Sequence, residues 1–400
     1  MGPEHALRGR HPAGTLAPYP LARGGLPGRR TRVEVGGLKR TRARPAEGPR
    51  RTSLKEIARI TGFSVTTVSM VLNGRAEEFA ISGDTRDLVL AAAREHNYQP
   101  NLHARSLRSR TTNLVGLMVP TLNNRFFAEL VETFETLART DGKLALFTVT
   151  HYDRAEELHA ASFFLSQNVD CVFTANPVAL GEVSALCARA QTRQVVLDAP
   201  ESDRPTVTTD NATAALELTR RLLGSMEAEG RTGPVYYVGG MADHEITRLR
   251  LAGFRAALRE RGLRYSDALF VETRFDEGAA YQAIRTLFRP GARIGGVFLN
   301  SLPLLDGLTR FVAEEPELCR PVHYAVFDYH PMMRLLGDLH LWVVKQDAER
   351  MMRMAYELLA QRDEAEPILR LVPYEVFSPA VQVAAARPAR PGASPGARGR

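Results

Sequence analysis

The chain has 400 residues, of which 44% are hydrophobic and 24% charged, as in globular proteins with two or three domains. Its formal charge of +7 is uneven, because residues 1–50 hold 11 Lys/Arg against 3 Asp/Glu and the last 14 residues hold four arginines and no acid. Basic ends on an acidic body indicate a polyanionic partner at the ends. The three cysteines have no metal-ligand or redox spacing, and no apolar run approaches membrane-spanning length. These features exclude a disulfide framework and a spanning helix, and they fit a reducing cytoplasm.

The two ends of the chain lack any hydrophobic periodicity. Residues 1–51 are rich in Pro, Gly and Arg, which predicts a disordered basic leader, and residues 381–400 predict a disordered basic tail. An Arg-rich start also resembles an organelle transit peptide, but its Pro/Gly density opposes the amphipathic helix that such peptides form.

Residues 52–100 show three helical segments in close succession. The first begins at Ser53, where "SLKE" is typical of a capping box, and Gly62 ends it. The second begins after Ser64, and the third begins near Ser82. The spacing of apolar residues predicts that these helices pack around a small core of their own.

The second helix keeps small or polar residues on its outer face. A helix, a glycine-containing turn and such a second helix follow the helix-turn-helix plan. The second helix of that plan enters a major groove about 12 Å wide, which excludes bulky apolar groups. The residues expected on its accessible faces are Val65, Thr66, Thr67, Ser69 and Met70. The alternative is an exposed helix of an ordinary three-helix bundle.

From Leu114 onward, short apolar runs alternate with amphipathic helical runs. The predicted strands are "LVGLMVP", "LALFTVT", "VDCVFTA", "QVVLDAP", "PVYYVGG", "GGVFLNS", "HYAVFDY" and "LWVVKQD". Strands without internal alternation predict parallel sheets that are covered on both faces. Eight or more such units can form one barrel or two doubly wound lobes. In the second arrangement ligands bind beyond the carboxyl ends of the strands.

The segment "LKEIARITGFSVTTVSMVLNG", followed by "TRDLVLAAAREHNYQPNLHARSLRSRTTNLVGLMVP", resembles the DNA-binding end of the lactose-repressor (LacI/GalR) family. The strand-helix pattern continues this resemblance to about residue 380. The resemblance implies an α/β protein, with an N-terminal all-α helix-turn-helix domain and a two-lobed core of doubly wound parallel sheets like type I periplasmic binding proteins. Within the family, "NGRAEEFAISGDT" and "REHNYQPN" are most similar to the fructose repressor, or catabolite repressor/activator, subgroup.

The resemblance divides the chain into a leader (1–51), a DNA-binding domain (52–100), a hinge helix (101–110), an effector-binding and dimerisation core (111–380) and a tail (381–400). It implies that Val65, Thr66 and Met70 read operator bases. Many relatives carry arginine at the position of Met70, which can bind guanine with two hydrogen bonds, and methionine cannot. The full set of expected helix-turn-helix contacts to DNA is Ser53, Ser64, Val65, Thr66, Thr67, Ser69, Met70 and Asn73.

The segment "PNLHARSLRSR" resembles the family hinge, which folds into a helix on operator binding. Leu107 matches the leucine that enters a central base step of the minor groove and kinks the duplex. The other expected contacts are Asn101 at the start of the hinge, Ala104 in the groove, and Arg105 and Arg108 on phosphates. The alternative is an ordinary basic linker.

Polar residues follow several predicted strands and form the candidate effector site. Asp198, Asn300, Asp328 and Gln346 follow "VVL", "VFL", "AVF" and "VVK", and Arg250 lies within "RLRLAGF". Each matches a position that contacts the effector in lactose-repressor relatives, although a lone Asp after a strand often only forms a turn or a cap.

The resemblance adds further expectations about the effector. Phe126 and Arg125 are expected to add a wall and an anion contact. Relatives of the fructose-repressor type suggest a sugar phosphate such as fructose 1-phosphate. Ala199 departs from the arginine that those relatives can carry, which weakens the case for phosphate.

The resulting prediction is a sequence-specific transcriptional regulator, by default a repressor, that binds double-stranded operator DNA as a homodimer or tetramer in the bacterial cytoplasm and nucleoid. A sugar or sugar phosphate would control its operator affinity, with no metal, cofactor or membrane involved. The alternatives are a regulator that answers to a protein partner or to no effector, a sugar-binding protein whose cleft is its whole function, and an enzyme. The sequence has no Gly-rich phosphate loop, zinc spacing or nucleophile elbow, which opposes an enzyme.

Overall fold

The structure is a computed structural model that describes residues 52–98, 111–360 and 368–379. It divides into two compact units, Met1–Gln99 and Pro100–Arg400. Within the described residues, no helix is long and apolar enough to cross a membrane. Part of the expected DNA-contact set lies outside the described residues: Asn101, Ala104, Arg105, Leu107 and Arg108, together with the leader and the tail.

Three helices, α1 (Leu54–Thr61), α2 (Val65–Leu72) and α3 (Gly83–Glu95), form the first unit. Each begins at a serine whose side chain accepts a hydrogen bond from a backbone N–H of the first turn. Gly62 ends α1 in the left-handed conformation, with φ at 75°, which glycine adopts without steric cost. The helices pack around a core that includes Ile57, Val68, Val71, Val89 and Ala92.

Two six-stranded sheets form the second unit. The strands are β1 (Leu114–Val119), β2 (Leu144–Val149), β3 (Cys171–Ala175), β4 (Arg193–Leu197), β5 (Thr206–Thr209), β6 (Val235–Gly239), β7 (Phe270–Glu272), β8 (Gly296–Leu299), β9 (His323–Phe327), β10 (His340–Gln346), β11 (Leu369–Val372) and β12 (Tyr374–Phe377). The helices are α4 (Arg125–Thr140), α5 (Arg154–Ser166), α6 (Leu180–Arg189), α7 (Asn211–Ala228), α8 (Glu245–Glu260), α9 (Glu277–Leu287), α10 (Leu302–Glu314), α11 (Pro316–Cys319) and α12 (Ala348–Leu358), with 3₁₀ turns at Asp267–Leu269 and Pro331–Leu336.

The sheets have the orders β11-β5-β4-β3-β1-β2 and β12-β10-β9-β8-β6-β7. We call them, with their helices, the first lobe and the second lobe. Among the described strands, all pairs are parallel except β10 with β12. The structure therefore has two doubly wound lobes, as the resemblance predicts, and not one barrel.

The chain passes between the lobes three times: from β5 to α7, from β10 to α12, and from β11 to β12. Helix α7 packs Leu218 and Leu222 in the core of the second lobe, whereas α12 packs Met351 and Met352 in the core of the first lobe. Crossings at strand ends place residues of both lobes at the same edge, where polar side chains from the two sheets can meet.

Four short strands, β5, β7, β11 and β12, were not among the predicted ones. They have three or four residues each, and β5 reads "TVTT", whose hydroxyl side chains hide the apolar signal of a buried strand. The other eight strands lie where the apolar runs predict them.

Candidate functional site

The outer face of α2 presents small side chains. Val65 is 41% exposed, Thr66 is exposed, and Val68 is fully buried on the opposite side. The Ser64 and Thr67 hydroxyls lie 2.9 Å apart, and Ser64 Oγ also accepts from the Thr67 N–H at 3.0 Å. These bonds fix the start of α2, so its first turn presents hydroxyl and methyl groups on a rigid backbone.

The polar end of α2 is also ordered by a side chain. Asn73 Nδ2 donates to the Ser69 carbonyl at 2.7 Å and lies 3.3 Å from the Ser69 hydroxyl. At the other helix, Ser53 Oγ accepts from the Glu56 N–H at 3.2 Å, which is the serine half of the predicted capping box. Ser53 and Asn73, which are expected to contact DNA, therefore also form hydrogen bonds at the helix ends.

Met70 differs from the prediction that it is freely accessible. Its exposed fraction is 9%, so the expectation of an outward-facing Met70 is wrong. Helical spacing sets it away from Val68 and Val71, but an unbranched, flexible methionine can lie along the protein surface instead of projecting from it. A base contact by Met70 would require its side chain to turn outward.

In the second unit, the five residues predicted as effector contacts lie together. Asp198 follows β4, Asn300 follows β8, Asp328 follows β9, Gln346 ends β10, and Arg250 lies in the second turn of α8. All five are buried, and together with their hydrogen-bond partners we call them the cleft cluster. Asp198 and Asp328 adopt left-handed backbone conformations, with φ at 56° and 73°. Backbone strain of this kind gathers at functional sites.

Arg250 contacts both lobes at once. Its Nε donates to Asn211 Oδ1 at 2.8 Å and its Nη1 donates to the Asn300 carbonyl at 2.6 Å. Its Nη2 lies 3.9 Å from Asp198 Oδ2 in an ion pair, and its Cζ lies 3.6 Å from the centre of the Phe327 ring. A buried guanidinium requires such partners because it cannot release its proton.

The Asp198 carboxylate, the partner of Arg250 in this ion pair, also accepts two hydrogen bonds. Its Oδ1 accepts from Asn211 Nδ2 at 2.8 Å and from the Thr208 hydroxyl at 3.0 Å. Burial raises the pKa of Asp198 above its ordinary value, while Arg250 and these two donors oppose that change. The donors and the guanidinium thus stabilise a charge that the interior penalises.

Asp328 connects the two lobes through amide groups. Asn124, the cap of α4 in the first lobe, donates to Asp328 Oδ2 at 2.6 Å. Gln346 Nε2 donates to Asp328 Oδ1 at 2.6 Å. Asn300 Oδ1 accepts from the Tyr237 hydroxyl at 2.8 Å, on the side of the second lobe. Amide and carboxylate groups at these places are the groups that bind sugar hydroxyls in pairs.

An aromatic group lies beside the charges. Tyr152 stacks on Phe275, with ring centres 4.7 Å apart, and meets the edge of His244 at 5.9 Å. Burial raises the pKa of Tyr152. The charge of Arg250 opposes this rise, and the charges of Asp328 and Asp198 add to it. Burial lowers the pKa of His244 to about 4, offset in part by the Asn176 backbone. Such rings provide the apolar face on which a sugar ring can stack.

Phe126 and Arg125 lie in the first turn of α4 and make contacts within the first lobe. Phe126 packs in the core of the first lobe, where its N–H bonds Asn124 Oδ1 at 3.0 Å. Arg125 is partly exposed and pairs with Glu129 at 2.7 Å, one turn along α4. The wall and the anion contact that the resemblance implies for Phe126 and Arg125 therefore stay predictions.

Several residues at this site were not predicted from the sequence: Asn124, Thr208, Asn211, Tyr237 and Thr247 of the cleft cluster, and Tyr152 beside it. Asn124 and Asn211 had a usable signal, since an amide at the start of a helix that follows a strand lies at the carboxyl edge of a parallel sheet. Tyr237 and Thr247 had no such signal. They lie inside an apolar strand and inside a helix, and the sequence of such an element does not show whether a ligand lies nearby.

Both units of the chain match models of known protein families. Residues 53–101 match the model of bacterial regulatory proteins, lacI family, and residues 115–365 match a periplasmic binding protein domain. The sucrose operon repressor of Klebsiella pneumoniae is 31% identical over 333 residues, covering 81% of this chain and 97% of the relative. The fructose operon regulatory protein of Vibrio cholerae serotype O1 is 28% identical over 287 residues, covering 71% and 86%.

Among solved structures, the lac repressor dimer bound to operator and the anti-inducer ONPF has a TM-score of 0.68 at 19% identity, over 82% of this chain and 98% of that chain. This likeness shows the fold. The family model over the helical unit and the curated relatives over most of the chain confirm the family that the motifs predicted and a DNA-binding regulator in place of an enzyme. The chain belongs to the lacI family of bacterial regulatory proteins.

Proposed function

We propose that this protein is a dimeric operator-binding repressor whose DNA affinity is set by a neutral sugar bound in the cleft cluster. The observation that carries the proposal is the cluster itself: two buried carboxylates, a guanidinium and several amides from both lobes meet at the carboxyl ends of the strands. A site of this composition suits a polyhydroxylated ligand because each hydroxyl both donates and accepts.

The DNA-binding part of the proposal rests on α2. Val65 and Thr66 are exposed at its first turn, and the capped Ser64 and Thr67 hydroxyls hold that turn in place. Methyl groups contact thymine and hydroxyls bind bases or phosphates, so this surface reads DNA without a guanidinium. The hinge, with Leu107 as the minor-groove wedge and Arg105 and Arg108 on phosphates, belongs to the same proposal on sequence grounds alone.

The balance of charge favours a neutral sugar over a sugar phosphate. Asp198 and Asp328 lie in the cluster with one guanidinium, that of Arg250, which already bonds Asn211 and Asn300. A phosphate group would add negative charge beside two carboxylates with no free cation among these residues. Ala199 offers none, and Arg125 pairs with Glu129.

The bonds across the lobes suggest how the ligand acts. Asn124 of the first lobe donates to the Asp328 carboxylate of the second lobe, and we expect a sugar hydroxyl to take the place of this bond. Such an exchange changes the contacts between the lobes. Allosteric coupling requires two arrangements of the protein that bind the ligand differently, and here these would be two arrangements of the lobes. In a dimer, a shift between the first lobes would alter how well the two hinges meet the operator. A coupling of roughly 1–3 kcal/mol is typical.

The place of action follows from the partner. An operator-binding regulator works in the cytoplasm at the nucleoid, and two copies suit the two half-sites of a palindromic operator. A tetramer would add a second pair of DNA-binding units without changing the site in each chain.

The proposal is tested with the full chain on DNA fragments selected from the genome. Sucrose, ribitol, fructose and fructose 1-phosphate are added to the protein–operator complex, and dissociation is followed by fluorescence anisotropy. We expect a neutral sugar to release the operator from the wild type, and Asp328→Asn to bind the operator but lose that release. Asp338→Asn, an exposed carboxylate of the second lobe, serves as the matched control and should behave as the wild type.

The outcomes separate the alternatives. Release by fructose 1-phosphate alone would contradict the neutral sugar and restore the phosphate prediction. Operator binding that responds to no sugar or sugar phosphate would contradict a metabolite site and favour control by a protein partner.

A further inference from the structure

Three ligating side chains lie together at the edge of the second lobe opposite the cleft cluster. His323 and His340 are the first residues of β9 and β10, and their Cα atoms are direct partners in the parallel pairing of these strands. Glu229 follows the last residue of α7. Because the amino ends of parallel strands lie opposite their carboxyl ends, this group is separate from the proposed effector site.

The distances within this group match a metal site. One ligand atom from each of Glu229, His323 and His340 lies within 4.8 Å of the other two. His340 Nδ1 is 3.0 Å from Glu229 Oε1, and His323 Nε2 is 3.5 Å from Glu229 Oε2. Zinc bonds of about 2.0–2.2 Å in a tetrahedron set ligand atoms roughly 3.3–3.5 Å apart. The two distances to the Glu229 carboxylate are therefore close to those between ligands of one ion.

His323 provides an independent indication. Its side chain is fully buried, and its Nε2 has no hydrogen-bond partner within the described residues, although it points toward the Glu229 carboxylate. Its other nitrogen, Nδ1, lies 2.8 Å from the Ser225 hydroxyl. A metal-bound imidazole has this pattern, with one nitrogen free for the ion and the other held by a neighbouring polar group that fixes the tautomer.

The two imidazole rings lie side by side against one carboxylate. The rings of His323 and His340 stack with centres 4.4 Å apart and planes 21° apart. Their stacking brings the ring nitrogens of adjacent strands to the same side of the sheet edge. A buried ring nitrogen that lacks a hydrogen-bond partner among the described residues is uncommon in folded proteins, and a bound ion would give His323 Nε2 a partner.

We propose that Glu229, His323 and His340 bind one Zn²⁺ ion, with water as the fourth ligand. Two imidazoles and one carboxylate form a donor set that suits zinc and disfavours Mg²⁺ and Ca²⁺, which require oxygen ligands. The nearby Arg231 guanidinium, which donates to the Ile294 carbonyl at 2.9 Å, repels any cation.

The consequence of zinc binding follows from α7. This helix begins at Asn211, which bonds Asp198 and Arg250 in the cleft cluster, and its 18 residues end just before Glu229. At 1.5 Å per residue it spans roughly 27 Å. Zinc would tie the far end of α7 to the start of β9 and β10, and so stabilise the second lobe without entering the cleft.

The test uses the full chain after removal of metals with EDTA and gel filtration. ZnCl₂ is titrated against the protein in competition with a chromophoric chelator, and the melting temperature is recorded with Zn²⁺, with Mg²⁺ and with EDTA. We expect a site of one Zn²⁺ per chain and a rise in melting temperature with Zn²⁺ but not with Mg²⁺. His340→Ala and Glu229→Gln should each weaken this site at least about tenfold and abolish the rise.

His159→Ala removes an exposed histidine of α5 in the first lobe and serves as the matched control; it should bind zinc as the wild type does. Melting of His340→Ala in EDTA at the wild-type EDTA temperature shows that the variant is folded. Zinc affinity and zinc-induced stabilisation that are the same in His340→Ala as in the wild type would overturn the proposal, as would equal stabilisation by Mg²⁺.

Discussion

At the residue scale, the charges of the cleft cluster depend on one another. Arg250 and Asp198 are both almost fully buried, and each is stabilised by the other and by the Asn211 amide between them. Removing one member leaves the other without its counter-charge in a medium of low dielectric constant. The sequence predicted both residues from their positions, but not Asn211, because a bridging amide has no signature apart from its place at a helix start.

Arg250→Met tests this dependence. The variant keeps most of the side-chain volume but leaves Asp198 unpaired, and we expect it to lose about 3–5 kcal/mol of unfolding free energy in urea denaturation. The double variant with Asp198→Asn should lose less than the sum of the two single variants, since no uncompensated charge remains. A loss of under about 1 kcal/mol in the single variant would show that the Arg250–Asp198 pair does not stabilise the cleft cluster.

His244, whose ring meets Tyr152 beside the cleft cluster, makes the stability of the fold depend on pH. Its pKa of about 4 lies below the value of about 6.5 for an exposed histidine, so between these values the unfolded chain binds more protons than the folded one. Stability is therefore lost as the pH falls through this window. From pH 7 to pH 5 we expect His244 to account for about 2 kcal/mol of lost unfolding free energy.

The comparison of wild type with His244→Asn isolates this contribution. Other groups, such as the buried carboxylate of Asp198, titrate in both proteins and cancel in the difference. Urea denaturation at both pH values should show a smaller loss in the variant. Equal losses in the two proteins would mean that His244 is protonated in the folded chain at pH 5.

At the scale of elements, the close approach of α7 and α8 positions Arg250. A Cβ atom added to Gly253 of α8 would lie 2.1 Å from the Ala212 carbonyl oxygen and 2.8 Å from the Leu216 nitrogen, both backbone atoms of α7. Backbone cannot give way as a flexible side chain can, so the helices would have to separate.

Gly253→Ala is therefore expected to lose about 1–3 kcal/mol of unfolding free energy, although alanine favours helices. Gly224→Ala on α7 is the matched control, because a Cβ there meets nothing within 4 Å. That variant should gain up to about 1 kcal/mol from helix propensity. A stabilised Gly253→Ala in the same urea experiment would contradict the close packing of these two helices.

A substitution in α2 tests the base specificity that we propose for this helix. Met70→Arg introduces a guanidinium that can bind the O6 and N7 atoms of guanine, provided that its long side chain turns away from the surface that covers Met70. Selection of binding sites from random duplexes should add a guanine at one position of each half-site. The control is Met70→Leu, and the same selected motif for Arg and Leu variants would speak against a base contact at this position.

Elements were predictable to the extent that they bury apolar side chains. Runs such as "VDCVFTA" and "HYAVFDY" become β3 and β9 because their side chains are buried on both faces. The short strands β5 and β7 at crossings and edges were not predictable, since three or four residues with hydroxyls or charges have no clear period. Glu229, His323 and His340 have no recognisable spacing either, because the sheet alone brings them together.

At the scale of the whole molecule, the two lobes follow from the alternating strands and helices, and the sequence predicted this class. It could not predict which side chains meet between the lobes, because the three crossings of the chain decide that. The bonds from Asn124 and Gln346 to Asp328 are the result, joining a helix cap of the first lobe to strand ends of the second. A ligand that replaces these bonds acts on both lobes together.

The most direct test of the account is operator binding by the full chain, measured by fluorescence anisotropy with a genomic duplex selected by the protein, in competition with random duplex at moderate salt. We predict a clear preference for the selected duplex, weakened by Thr66→Ala, and a fall in operator affinity of about 5- to 150-fold when a neutral sugar is added. Equal binding of selected and random duplexes, with or without sugar, would contradict the claim that this protein is a sugar-controlled operator-binding regulator.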